Sequence, residues 1–225
     1  MTDGSATDTK PLDADLIVAL AADDDSTRLK AALAVGSNPD PSLVDALMAR
    51  CAIEPDFYVR DMLTWALTRL PSEITLPRLL AELRSPGAQA RSQALHTLSK
   101  IKDPATWPAI TPYLLRDSND DVARSAWRAA VALVPDGQQQ DLAEELAAQL
   151  GRGSREVQLS LSRALVALGE EAVRPVLRKA MASDDPGIHA HAIATEQLLR
   201  EPDAGSEPAV KEAKRMFVLG KKSPG

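Results

Sequence analysis

One side chain recurs along this chain with a near-constant beat, and that beat constrains the fold more than any other feature. Val59-Arg60, Ala90-Arg91 and Ala123-Arg124 each place an arginine after a small or branched apolar residue. The same register reaches Arg28 upstream, and Gln158 and His191 downstream, at intervals of 32, 31, 33, 34 and 33 residues. A period in the thirties is the signature of stacked supersecondary units. Three residues after each slot stand Ala31, Leu63, Ala94, Trp127, Leu161 and Ala194. Seven after it stand Val35, Leu67, Leu98, Val131, Leu165 and Leu198, and ten after it Leu70, Ile101, Val134 and Leu168. Offsets of 3, 7 and 10 share one face of an α-helix, so each slot opens a helix with an apolar core strip.

A second kind of helix alternates with these. Pro77, Pro108 and Pro175 fall in its early turns, and Leu79, Ile110 and Leu177 follow two residues later. Leu83, Leu114 and Met181 come six after the prolines, and Leu47 with Cys51 and Leu146 with Leu150 keep the same i, i+4 pairing. Asp40-Pro41 and Asp103-Pro104 read as an N-cap followed by proline at the first helical position. The expected helices are 12–22, 25–35, 40–52, 56–70, 73–84, 87–101, 104–116, 119–134, 138–151, 153–168, 170–182, 185–200 and 206–218, with a kink at Pro112. Such pairs bury their stripes only against neighbouring pairs. The fold class is therefore all-α, an α-solenoid of about six helix pairs over residues 12–200. A disordered N-terminal tail at 1–11 precedes it, and a capping helix with a basic flexible tail at 201–225 follows.

The best-patterned stretch, Asp103 to Leu133 (DPATWPAITPYLLRDSNDDVARSAWRAAVAL), resembles HEAT repeats, and in particular the short repeats of phycobilisome lyases. The resemblance covers roughly residues 12 to 200. It implies a superhelix whose second helices line a concave face. It also implies a ladder in which a turn acid and a helix Arg link successive repeats. Asp56 with Arg60, and Asp120 or Asp121 with Arg124, fit those slots, and Arg91 occupies the arginine slot between them. Gln158 and His191 depart from the pattern, so the ladder should weaken toward the C-terminus.

Functionally, the expectation is a scaffold that grips a protein or peptide partner, with no enzymatic activity and no cofactor. Outward positions of the second helices supply the candidates: Asp61, Thr64, Trp65 and Thr68, then Ser92 and His96, then Ser125 and Arg128, then Ser162 and Arg163. Trp65 is a natural anchor, since an indole off the core face is a common hot spot, and Arg128 and Arg163 can pair with an acid. A bilin-lyase-like small-molecule role is an alternative that rests on the repeat subtype alone. DNA-glycosylase-like nucleic-acid binding finds a faint echo in Trp65, Asp61, Arg128 and Arg163. A net charge of −6 weighs against it, because phosphate neutralisation needs surplus Lys and Arg.

The remaining chemistry-bearing residues read as structural. Trp127 falls on the core face and Trp107 sits at the start of a first helix. The single cysteine, Cys51, lies in a core strip, where a buried inert thiol is expected. His189 and His191 point about 200° apart on a helix and cannot share a metal. Asp23-Asp24-Asp25 suits the start of a helix, where acids complement the dipole. No apolar run approaches membrane-spanning length and no secretory signal is visible, so a cytoplasmic location is expected. The tail from Ser206 carries Val210, Ala213 and Phe217 on one helical face and a basic charge surplus, which suits either a cap on the last repeat or a docking motif.

Overall fold

The computed structural model describes residues 10–201, which form twelve α-helices, two 3₁₀ helices and no strand. The tails expected at 1–11 and 201–225, including the helix at 206–218, lie almost entirely outside the described residues. The chain divides into two compact units, Met1–Leu133 and Val134–Gly225.

The first unit holds α1 (Lys10–Leu20), α2 (Asp25–Ser37), α3 (Val44–Cys51), α4 (Phe57–Arg69), α5 (Ser72–Glu82), α6 (Ala88–Ile101), α7 (Pro112–Leu115) and α8 (Asp120–Leu133). Sequential helices pair: α1 with α2, α3 with α4, α5 with α6, α7 with α8. The pairs stack in two layers. The second helices touch in the order α2, α4, α6, α8, and the first helices in the order α1, α3, α5. The strip foreseen three and seven residues after each slot forms the core, with Ala31, Val35, Leu63, Leu67, Ala94, Leu98 and Trp127 all buried. Full burial of one such leucine contributes about 1.5–3 kcal/mol. Trp127 also donates from its indole N–H to the Leu115 carbonyl at 2.9 Å, which ties α8 to α7.

Local chemistry sets the helix ends. Asp24 and Asp56 cap α2 and α4 by accepting from the backbone N–H groups of Thr27 (2.7 Å) and Val59 (2.9 Å). Lys102 closes α6 in the left-handed region at φ 57°. The helix expected at 104–116 does not form. A 3₁₀ helix spans Pro104–Ala109, followed by a single α-turn at Pro112–Leu115. Pro104, Pro108 and Pro112 are spaced four apart. Each lacks an N–H and crowds the carbonyl four residues back, so the α-ladder cannot continue through them.

The second unit holds α9 (Gln139–Ala147), α10 (Arg155–Ala167), α11 (Glu170–Met181) and α12 (Pro186–Arg200). Here α9 packs on α11 and α10 on α12. The core strip of α12 is rotated from expectation. His191, Ala192 and Thr195 are buried, whereas Ala194 is exposed and Leu198 half-buried. His191 is held on the buried side by bonds to Gly151, Gln158 and Ser162. No described helix is long and apolar enough to cross a membrane.

Candidate functional site

The slot residues do one recurring job. Arg28 donates to the carbonyls of Ala22 and Asp23, Arg60 to those of Glu54 and Pro55, and Arg91 to those of Ser85 and Pro86. Each guanidinium thus folds back and satisfies the turn that leads into its own helix. Gln158 makes a longer version of this contact, to the carbonyls of Gly151 and Gly153 at 3.4 Å. His191 departs from this job: its Nδ1 accepts from the Gly151 N–H at 3.0 Å, in the turn before α10 rather than the one before its own helix.

Two of these arginines also bridge to the next repeat. Arg28 grips Glu54 through Nε (2.7 Å) and an Nη (2.9 Å), and Arg91 reaches Asp117 at 3.0 Å. Both acids stand 26 residues beyond their arginine. The linking acids are therefore Glu54 and Asp117, not Asp56 and Asp121. Asp56 is occupied as the cap of α4, and Asp121 meets Arg124 at 3.7 Å within one helix while remaining exposed. The 26-residue spacing is present in the sequence, although the acids beside each slot are the ones the family resemblance points to. Glu54 is fully buried and also accepts from Arg50 (2.7 Å) and from the Asp56 N–H (2.9 Å). Burial alone would raise its pKa, yet the bonds from Arg28, Asp56 and Arg50 hold it down at about 2.

Packing sets α2, α4, α6 and α8 side by side, the two links tie α2 to the turn before α4 and α6 to the turn before α8, and the outer surface of these helices forms a face within the first unit. Trp65 projects there from α4 and is 37% exposed. Its indole lies against Gly36 of α2, so close that a Cβ at Gly36 would come within 2.1 Å of it. Asp61 is exposed one turn before Trp65. On α6, His96 is half-buried, and burial together with Arg128 and Lys100 depresses its pKa to about 4, with Asp61 pulling the other way. On α8, Arg128 is exposed and donates to the Ser125 hydroxyl at 3.1 Å. Ser125 in turn bonds Ser92 of α6 at 2.9 Å. Trp65, His96 and Arg128 thus form a row at intervals of 31 and 32 residues, one from each successive repeat. Thr64 does not reach this face. It is 3% exposed, because the position four after the slot is covered by the next second helix, as it is for Ala32 and Leu95; Arg128, at the same offset on α8, the last second helix of the first unit, is exposed.

The second unit carries its own open groove of about 930 Å³ between α10 and α12, lined by Arg155, Leu159, Ser162, Ala190, Ala194 and Leu198 among others. Arg163 is exposed on α10 but is not part of that lining.

Comparison with known proteins agrees with this repeat geometry. Residues 52–132 match the family model described as HEAT repeats. Over that stretch the chain is similar to HEAT repeats. That match runs from the end of α3 through α8 and so includes Trp65, His96 and Arg128. Among solved structures, the chain is similar to an engineered protein at 19% identity and a TM-score of 0.45, covering 84% of this chain and 96% of that one. It is also similar to the complex of CpcE and CpcF of phycocyanin lyase from Nostoc sp. PCC7120 at 22% identity and a TM-score of 0.48, covering 88% and 81%. No curated protein matches the sequence.

At the end of α3, Cys51 is buried in the core, and that burial raises its thiol pKa to about 12. No three His, Cys, Asp or Glu side chains among the described residues are grouped to hold a metal ion.

Proposed function

We propose that this HEAT-repeat chain is a non-enzymatic scaffold that holds a protein or peptide partner on the second-helix face of its first unit. The observation that carries the reading is the row Trp65, His96, Arg128. Successive repeats place an indole, an imidazole and a guanidinium five, five and four residues after the slot on adjacent helices, with Asp61 beside them. Tryptophan and arginine dominate interface hot spots, and repeat arrays read extended partners one unit at a time. The helices beneath the row are fixed by packing and by the Ser92–Ser125 bond, so little ordering is left to be done on binding.

Purification of the full chain under native conditions, beside the Trp65→Ala/Arg128→Ala double variant, tests this. The wild type retains a stoichiometric partner and the double variant loses it while keeping its helical circular dichroism. A partner retained equally by both chains refutes the proposed face.

A further inference from the structure

The chemistry of the row also points to what kind of partner fits it, an inference that rests on the binding face proposed above. Arg128 makes one hydrogen bond, to Ser125, and no ion pair among the described residues. A guanidinium has five N–H donors, so most of its donor capacity stays open to a ligand. Arg124 lies one turn earlier on the same helix and Lys100 stands on α6. Asp121 offsets Arg124, which leaves Arg128 and Lys100 as the cations of this spot in a chain of net charge −6. The charged groups around His96 are Asp61 from α4, Lys100 from α6 and Arg128 from α8. Two of the three are cations, and together with burial they keep the imidazole neutral at pH 7.

We infer that the partner is an acidic peptide segment: one of its carboxylates pairs with Arg128 beside His96, and an apolar or aromatic side chain lies on Trp65. A carboxylate there would offset the Arg128 and Lys100 charges, which add to burial in disfavouring protonation of His96, and would give the protonated ring a partner. The imidazole would then take up a proton and donate a second hydrogen bond to the same anion. Spacing adds a constraint. Packed helices sit about 8–10 Å apart, so Trp65 and Arg128, two helices apart, are about 16–20 Å from each other. An extended segment covers that distance in about five or six residues.

Selection of random dodecapeptides on the full-length protein, followed by anisotropy titration of the enriched sequences, provides the test. Enriched peptides should carry Asp or Glu about five or six residues from an aromatic. Arg128→Ala should weaken them about tenfold or more, as should Glu→Gln in the peptide, with little further loss when the two changes are combined. Binding should tighten from pH 7 to pH 5.5 in the wild type and lose that dependence in His96→Gln. Peptides that bind without an acid, are weakened by Trp65→Ala and ignore Arg128→Ala would overturn the acidic partner and leave the binding face standing. Binding indifferent to both substitutions, or no enrichment at all, would count against both. An oligothymidylate that binds more tightly than the selected peptides would overturn the peptide assignment in favour of a nucleic acid.

Discussion

Replacing Glu54 with glutamine is the sharpest perturbation of the stack. Glu54 is fully buried and receives Nε and Nη of Arg28 from α2, Nε of Arg50 from α3 and the Asp56 N–H at the start of α4. The glutamine keeps the shape but removes the charge that balances two largely buried guanidiniums. It also turns an NH₂ toward a donor. Breaking a buried ion pair by removing one partner costs about 3–5 kcal/mol, because the remaining charge is left uncompensated. The carboxyl's own titration gives a second figure of similar size. A group that ionises at about 2 in the folded chain and at 4.5 unfolded stabilises the fold by roughly 3 kcal/mol when ionised. Its folded pKa is depressed, so this stabilisation is complete above 4.5 and is lost as the pH falls toward 2. Urea unfolding followed by far-ultraviolet circular dichroism measures both effects. Glu54→Gln should lose about 3 kcal/mol at pH 7, and the difference from wild type should shrink as the pH drops below 4.5. The added substitution Arg28→Met should restore part of the loss. A cost under about 1 kcal/mol, or a difference unchanged down to pH 3, would refute the idea that Glu54 holds the first repeats together.

Other outcomes follow from the same structure. Gly36→Ala places a Cβ within 2.1 Å of the Trp65 ring, so it should displace the indole, shift its fluorescence and destabilise the fold by about 1–3 kcal/mol. Trp65→Ala in the same chain should relieve most of that cost. Thr64→Val removes a buried hydroxyl that has no hydrogen-bond partner among the described residues, and should raise stability by about 1 kcal/mol in urea unfolding. A loss would show that the hydroxyl is bonded. Cys51 should resist iodoacetamide at pH 8 in the native state and react once the chain is unfolded, as mass spectrometry would report. Burial lowers the pKa of His191, against the raising effect of its bond to Gln158. Its contribution to stability is therefore present above pH 6.5 and declines below it, and His191→Gln should flatten that part of the stability profile.

Much of the fold was legible because a periodic stack repeats its own evidence. The strip running through Ala31, Leu63, Ala94 and Trp127 could be read from spacing alone, since every second helix of the first unit solves the same packing problem. The broken segment at 104–116 was half legible. Pro112 signalled a kink, but Pro104, Pro108 and Pro112 together forbid an α-helix rather than bend one. The face was harder to read. Asp61, Trp65 and Arg128 are exposed, but helical spacing cannot show that a second helix has neighbours on both sides, and this is why Thr64 is buried. The links through Glu54 and Asp117 join groups 26 residues apart, beyond the reach of the local spacing that relates an acid to the arginine of its own turn. In α12 the period fails: His191, Ala192 and Thr195 are buried in place of Ala194 and Leu198.

A photo-crosslinking residue installed in living cells, at position 65 in one strain and at position 113 in another, tests the central claim most directly. Trp65 lies on the second-helix face, and Tyr113 is 74% exposed on α7 in the other layer. Crosslinking from position 65 to one discrete protein, with none from position 113, is the result expected of a scaffold that binds through this face. Adducts from position 113 with none from position 65 would contradict it.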